Sequence, residues 1–97
     1  MSTSNLAILG CGNIGSAIAK GLAKSGLTPA DITLTRRKLE SLSELNQTGF
    51  QTSADNANAV QNSKIIFLTV GPSQLMDLLD EISSNLHADH LLISIVS

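Results

Sequence analysis

The chain has 97 residues, of which 42% are hydrophobic, and its formal net charge at pH 7 is -2. A chain of this length buries one small core, so we predict a single domain over residues 1–97. A slight acidic balance and two aromatic residues supply neither a cationic field nor a stacking surface for bases, which excludes nucleic acid as an expected partner.

The sequence also lacks signals for membranes, export and metals. It has no apolar run of about 18 residues, and its N-terminus has neither the basic start nor the apolar segment of a signal peptide. The single cysteine, Cys11, has no disulfide partner within the chain, and with two histidines it makes no metal-ligand spacing. We therefore expect a cytoplasmic protein with no membrane partner and no metal site.

Apolar residues follow two alternating periods along the chain. Short apolar or β-branched runs predict strands at 5–9, 32–35, 49–52, 64–70 and 91–96. The segments between them predict helices, the first carrying Ile14, Ile18 and Leu22, the second Leu39, Leu42 and Leu45, the third spanning 54–61, and the fourth carrying Leu75, Leu79, Ile82 and Leu86. This alternation predicts an α/β fold, a doubly wound, Rossmann-like parallel sheet of about five strands with helices on both faces.

Three residues predict helix boundaries. Gly26 suits a left-handed cap that ends the first helix, and Ser53 suits the N-cap of the third. Pro72 suits the first turn of the fourth helix, where its missing N–H costs no hydrogen bond.

A glycine-rich loop connects the first strand to the first helix. The run Gly10-Cys11-Gly12-Asn13-Ile14-Gly15 has the dinucleotide spacing G-x-G-x-x-G. In that pattern Gly10 allows the tight turn, Gly12 lets the backbone approach a pyrophosphate, and Gly15 lets the helix pack close to the sheet. The pyrophosphate is then expected on free amides near Asn13 and Ile14 at the positive helix end. The alternative is a tight strand-to-helix connection that binds no ligand. In both interpretations Cys11 is a small residue that fills space.

The end of the second strand indicates which dinucleotide binds. NAD-binding domains place Asp or Glu there, whereas this strand ends in Thr35 and is followed by Arg36, Arg37 and Lys38. Cations hydrogen-bond a 2′-phosphate that a carboxylate would repel, so we predict NADP as the cofactor. Cations in the first turn of a helix would also oppose the helix dipole, as is expected at a functional site. The alternative is a solvated basic patch.

Two further segments are expected at the rim of the site. The fourth strand ends at Val70, Gly71 and Pro72, where a loop could border the nicotinamide-side ribose or form a plain turn. Asn56 could reach the adenosine ribose or remain an exposed polar residue at a helix start. We expect two groups to lie outside the site: the acidic residues on the outer side of the fourth helix and the solvated histidines before the last strand. These are Asp77, Asp80, Glu81, His87 and His90.

The motifs together resemble the N-terminal domain of pyrroline-5-carboxylate reductases, the NADPH-dependent enzymes of the last step of proline synthesis. The similar blocks are "LAILGCGNIGSAIAKGL", the arginine-containing end of the second strand, Asp55-Asn56 before "AVQNSKIIFLTV", Pro72 and "LLDEI". The resemblance implies that Asn13 and Ile14 contact the dinucleotide phosphates and that Arg36 and its neighbours contact the 2′-phosphate. It also implies that Asn56 contacts the adenosine ribose and that 70–72 contact the nicotinamide half.

The chain departs from that family in two ways. Gly71 stands where the family usually has lysine, and the all-helical domain that forms the family's dimer and completes its substrate site is not in this sequence. We therefore expect a cofactor-binding domain with no catalytic residue of its own, from a homo-oligomeric parent protein that reduces a small imine. The alternatives are a related β-hydroxyacid or imine dehydrogenase and a non-catalytic nucleotide-binding module.

Overall fold

The structure is a computed structural model, and it describes residues 6–95. Its strands are β1 (Leu6–Leu9), β2 (Ile32–Thr35), β3 (Gln51–Ser53), β4 (Ile65–Leu68) and β5 (Leu91–Ser94). Its helices are α1 (Asn13–Lys24), α2 (Ser43–Gln47), α3 (Asn56–Gln61) and α4 (Pro72–Ile82), with 3-10 turns at Pro29–Asp31, Leu39–Leu42 and Ser83–Asn85. Within that range no helix is long and apolar enough to span a bilayer.

All the strands are parallel and form one sheet in the order β3-β2-β1-β4-β5. The chain starts in the middle at β1, winds outward through β2 and β3, and then returns to the other side of β1 as β4. The order therefore reverses between β1 and β4, and open sheets of this type bind ligands beyond the carboxyl ends of the strands at such a point. The predicted doubly wound fold is confirmed.

The side chains of β1 alternate between two apolar cores, one on each face of the sheet. Leu6 and Ile8 pack under α1 and α2 with Ile32, Leu34, Leu42, Leu45 and Phe50. Ala7 and Leu9 pack under α3 and α4 with Ile66, Leu68, Val60, Leu78 and Ile82. Burial on both faces explains why β1 reads as a continuous apolar run in the sequence.

The end of α1 has the predicted glycine cap. Gly26 has a φ of +119°, its N–H donates to the Ala23 carbonyl at 3.2 Å, and the Leu27 N–H donates to the Leu22 carbonyl at 3.1 Å. This pair of bonds is a Schellman motif, which satisfies two of the last helical carbonyls.

The start of α3 differs from the prediction. Ser53 pairs with Thr35 as the last residue of β3, and the Asp55 carboxylate caps the helix by accepting a hydrogen bond from the Asn58 N–H at 3.1 Å. The predicted cap at Ser53 is therefore wrong, because strand pairing continues to that residue. The strand itself starts at Gln51, since Gly49, with a φ of +109°, forms the preceding turn.

Other boundaries also move. The periodicity of Leu39, Leu42 and Leu45 belongs to a 3-10 turn followed by the short α2, and Leu39 is exposed. α4 ends at Ile82, so Leu86 follows the last 3-10 turn, although it still packs against the second core. β4 is shorter than predicted, and the outer ends of the first and last predicted strands, Asn5 and Val96, lie outside the described residues.

β5 is an edge strand, and its apolar side chains are more exposed than those of the inner strands. Leu91 is 55% exposed and Leu92 is 40% exposed, whereas every residue of β1 is buried. β4 pairs with one side of β5, and no described strand pairs with the other.

Candidate functional site

A cleft of about 370 Å³ lies at the carboxyl ends of the strands, at the point where the strand order reverses. Most of the predicted site residues line it. They are Gly10, Gly12, Thr35, Arg36, Arg37, Asn56, Val70 and Gly71. The cleft is also lined by residues that the sequence analysis did not assign to the site, namely Thr69, Gln74, Asp77, Leu78 and Glu81.

The first and third glycines of the loop are required by the protein itself. Gly10 has a φ of +73°, and a Cβ at this position would lie 2.3 Å from Val70 Cγ1. A Cβ at Gly15 would lie 3.1 to 3.2 Å from side-chain atoms of Ile8, Thr69 and Cys11. Gly10 thus makes the turn and Gly15 lets α1 pack closely on the sheet, which are the roles that the motif predicts for them.

The second glycine has a different environment. A Cβ at Gly12 would meet only the Gly10 carbonyl oxygen, at 4.0 Å, and the φ of Gly12 is -100°. Packing against other atoms of the protein therefore does not require a glycine here. The absence of a side chain is explained if a ligand approaches the backbone at this point.

The N-terminus of α1 can bind an anion. Gly12 is its N-cap and supplies no capping side chain, and the first turn contains no acidic residue. The first amides of a helix have no partners within the helix, and the helix dipole places partial positive charge beside them. A phosphate group fits this set of donors, because it would satisfy the amides and the dipole together.

Neighbouring strands fix the position of the loop. The Thr69 hydroxyl shares its one proton between the Leu9 carbonyl, at 2.9 Å, and the Gly10 carbonyl, at 3.2 Å. On the other side, the Cys11 N–H donates to the Thr35 carbonyl at 2.7 Å. The loop is thus held between the ends of β2 and β4 before any ligand binds. A hydroxyl residue directly after the apolar run of β4 was the available signal for Thr69.

Cys11 is fully buried, as expected of a residue that fills space. Burial raises the pKa of its thiol above the ordinary value of 9.0, although contact with Ser16 and the charge of Arg36 act in the opposite direction. The thiol is therefore protonated at neutral pH and is a poor nucleophile.

Asn56 connects three elements at the floor of the cleft. Its Oδ1 accepts a hydrogen bond from the Thr35 hydroxyl, and its Nδ2 donates to Glu81 Oε2 at 3.1 Å. The Thr35 hydroxyl oxygen in turn accepts from the Gly10 N–H at 3.2 Å. Asn56 is therefore neither a freely solvated helix-start residue nor an isolated contact, because its carboxamide bridges β2 to α4.

Arg36 and Arg37 are exposed and form one wall of the cleft. They lie in the loop after β2, and the first helical residue that follows them is Leu39, in a 3-10 turn. The expectation that these cations occupy the first turn of a helix is wrong, so their case depends on the cleft and not on a helix dipole. Lys38 is exposed and does not line the cleft.

Two carboxylates of α4 also line the cleft. Asp77 and Glu81, one helical turn apart on α4, line the cleft, and only Asp80 of the three predicted outward carboxylates lies away from it. The prediction was wrong for Asp77 and Glu81 because Leu78 belongs to the buried stripe of α4 and turns its neighbours toward the cleft. The site therefore contains both cationic and anionic side chains.

The remaining predicted residues do not line the cleft. Asn13 and Ile14 begin α1, Gly15 is buried beneath the loop, and Pro72 is the first residue of α4. Contact of these residues with a cofactor stays a prediction.

The two histidines before β5 stack on each other with ring centroids 4.7 Å apart. The expectation that both are simply solvated is wrong for His90. Its Nδ1 accepts a hydrogen bond from the His87 N–H at 2.9 Å, and its Nε2 donates to the Val60 carbonyl at 3.1 Å. His90 thus attaches the loop before β5 to α3.

The model of the family described as "NADP oxidoreductase coenzyme F420-dependent" matches residues 5–97. The chain belongs to this family. Pyrroline-5-carboxylate reductase 1 of Dictyostelium discoideum is 42% identical to this chain over 95 residues, which are 97% of this chain and 17% of that protein.

Solved structures of reductases also have the fold of this chain. A pyrroline-5-carboxylate reductase from Coxiella burnetii superimposes with a TM-score of 0.90 at 31% identity, over 98% of this chain and 36% of that chain. An imine reductase from Myxococcus stipitatus, in complex with NADP+, gives a TM-score of 0.82 at 29% identity, over 96% of this chain and 32% of that chain. The resemblance to pyrroline-5-carboxylate reductases is confirmed, and the chain spans between 17% and 36% of these three relatives.

Proposed function

We propose that the cleft binds NADPH and that the chain is the cofactor-binding domain of a reductase that converts 1-pyrroline-5-carboxylate to L-proline. The observation that carries the proposal is the open space at Gly12 beside the uncapped start of α1. The family description and the names of the similar proteins support the same cofactor and reaction. When bound, NADPH supplies the hydride that reduces the C=N bond.

The residues of this chain bind and orient the cofactor. We place the pyrophosphate on the amides at the start of α1, beside Gly12, where no side chain blocks it. Arg36 and Arg37 hold the 2′-phosphate through charge-assisted hydrogen bonds. Asn56 contacts the adenosine ribose, and the loop at 70–72 borders the nicotinamide half.

The relatives are longer than the segment that this chain matches. We propose that residues outside the cofactor-binding domain hold the imine and make any contact between protomers. On this proposal the present chain binds NADPH but does not turn over substrate.

Titration calorimetry with NADPH and NADH tests the cofactor assignment. We expect the double variant Arg36→Ala, Arg37→Ala to lose on the order of 2 to 4 kcal/mol of NADPH binding, about thirty- to a thousandfold in affinity, because hydrogen bonds to a charged group contribute about 1.5 to 3 kcal/mol each and partly overlap. NADH binding should change little.

A matched variant, Lys24→Ala, Lys64→Ala, removes the same charge at exposed positions outside the cleft and should keep NADPH affinity. Equal affinities of the wild-type chain for NADPH and NADH would refute the preference for NADP.

A second candidate activity is the reduction of imines that lack the carboxylate. It is favoured by the likeness to the imine reductase and by Gly71, which lines the cleft and has open space where the resemblance leads us to expect lysine. Assays of the native gene product with pyrroline-5-carboxylate and with an unsubstituted cyclic imine separate the two. Faster reduction of the unsubstituted imine would favour this second candidate.

A further inference from the structure

Three hydrogen bonds link the glycine loop to α4 through side chains at the base of the cleft. The Gly10 N–H donates to the Thr35 hydroxyl oxygen at 3.2 Å, and that hydroxyl donates to Asn56 Oδ1. Asn56 Nδ2 then donates to Glu81 Oε2 at 3.1 Å. We call this series the Thr35–Asn56–Glu81 relay.

The groups at the two ends fix the direction of every bond in the relay. A backbone N–H can only donate, and an ionised carboxylate can only accept. The Asn56 carboxamide must therefore turn its NH2 group toward Glu81 and its oxygen toward Thr35. Because that oxygen can only accept, the Thr35 hydroxyl must use its one proton toward Asn56 while its oxygen accepts from Gly10. Without an acceptor at Glu81, only the Thr35 bond would oppose rotation of this carboxamide.

The same geometry gives Glu81 a role that its charge alone does not suggest. Glu81 lines the cleft together with Asp77, so its charge opposes the binding of a phosphate there. Its hydrogen bond to Asn56 acts in the other direction, because it holds the side chain that we place at the adenosine ribose. One Nδ2 proton of Asn56 bonds Glu81, which leaves the second proton as a donor for a ribose hydroxyl oxygen.

We infer that Glu81 is a positioning residue of the cofactor site, which orients Asn56 toward the ribose and, through Thr35, holds the first amide of the glycine loop. This inference rests on the proposed function, since it assigns a task to a residue of the NADPH cleft. It predicts that the ability of residue 81 to accept a hydrogen bond, and not its charge, is what binding requires.

Two neutral variants of similar length separate acceptance from charge. Glu81→Gln keeps an acceptor oxygen, whereas Glu81→Met has none, and both remove the negative charge. We expect Glu81→Met to bind NADPH about fivefold more weakly than Glu81→Gln, the loss of one hydrogen bond. In NMR spectra of the free, full 97-residue chain, Glu81→Met should shift the side-chain NH2 resonances of Asn56 and the Gly10 amide, and Glu81→Gln should restore them.

Two carboxylate variants on the same helix serve as comparisons. Asp77→Asn removes a charge from the cleft without touching the relay, so the Asn56 NH2 resonances should stay near their wild-type positions. Asp80→Asn removes a charge outside the cleft and should leave both NADPH affinity and those resonances unchanged. Thermal unfolding of Glu81→Met should match the wild type, because Glu81 is exposed.

The possible failures are distinguishable. If Glu81→Met and Glu81→Gln give the same affinity and the same Asn56 resonances, the inference is overturned while NADPH binding stands. A wild-type chain that binds no NADPH overturns the proposed function and the link to the cofactor. The resonances of the free protein then still support or overturn the orientation of Asn56 by Glu81.

Discussion

Replacing Gly12 with alanine should separate folding from cofactor binding. The new Cβ would meet only the Gly10 carbonyl oxygen, at 4.0 Å, and the φ of Gly12 is negative, at -100°. The methyl group displaces no protein atom, and the substitution reduces the freedom of the unfolded chain. We expect the free energy of unfolding to change by less than about 1 kcal/mol.

The same methyl group would occupy the space that we assign to the pyrophosphate. The phosphate would have to withdraw from the amides at the start of α1, and each hydrogen bond to a charged group contributes about 1.5 to 3 kcal/mol. Loss of two such bonds corresponds to at least about 3 kcal/mol, so NADPH affinity should fall by roughly a hundredfold or more. NADH should lose as much, because both cofactors share the pyrophosphate.

The other two glycines provide the comparison, measured by urea unfolding beside the calorimetric titrations. Gly10→Ala places a Cβ at a φ of +73° and 2.3 Å from Val70 Cγ1, which should cost at least about 2 kcal/mol of stability. Gly15→Ala crowds Ile8, Thr69 and Cys11 and should cost about 1 to 3 kcal/mol. A Gly12→Ala variant that binds NADPH as tightly as the wild type, or unfolds as readily as Gly10→Ala, would refute the reasoning.

Three further predictions concern stability. Asp55→Ala removes the N-cap bond to the Asn58 N–H and should lower the free energy of unfolding by about 1 kcal/mol in urea titrations, whereas Asp89→Ala, an exposed carboxylate in a turn, should change it little. Because burial raises the folded-state pKa of Cys11, the thiol ionises at a lower pH in the unfolded chain than in the folded protein. The contribution of the protonated thiol to the free energy of unfolding is therefore complete below pH 9.0 and is lost as the pH rises above it. Unfolding free energies at pH 8 to 10.5 should therefore fall more steeply for the wild type than for Cys11→Ala, and parallel curves would contradict this. The buried Ser63 hydroxyl has no hydrogen-bond partner among residues 6–95, so Ser63→Ala should raise the thermal midpoint, and a lowered midpoint would reveal a missed partner.

The local features of the site were predictable from the sequence. The glycine spacing of one loop predicted the turn at Gly10 and the close packing at Gly15, although Gly15 also approaches Thr69, which is distant in the chain. The core was also predictable, since strands buried on both faces must be apolar throughout. The parallel arrangement of the sheet followed from the alternation of strands and helices along the chain.

The predictions that failed concern contacts between segments that are distant in the sequence. Asn56 lies 21 residues from Thr35 and 25 residues from Glu81, and no periodicity in either segment indicates that they meet. Apolar spacing gave the buried stripe of α4, but which flank faces the cleft depends on the position of α3 and the β2 loop. The cap of α3 failed similarly, because the pairing of Ser53 with β2 decides that Asp55 begins the helix.

The enclosed thiol of Cys11 makes the chain convenient for spectroscopy. It is the only cysteine in the sequence, and its side chain is inaccessible to reagents in the folded state. A second cysteine introduced on the surface, for example at Gln74 on the rim of the cleft, would therefore take up a fluorescent maleimide selectively without any change to the native residue. The emission of such a dye would follow occupancy of the cleft in real time.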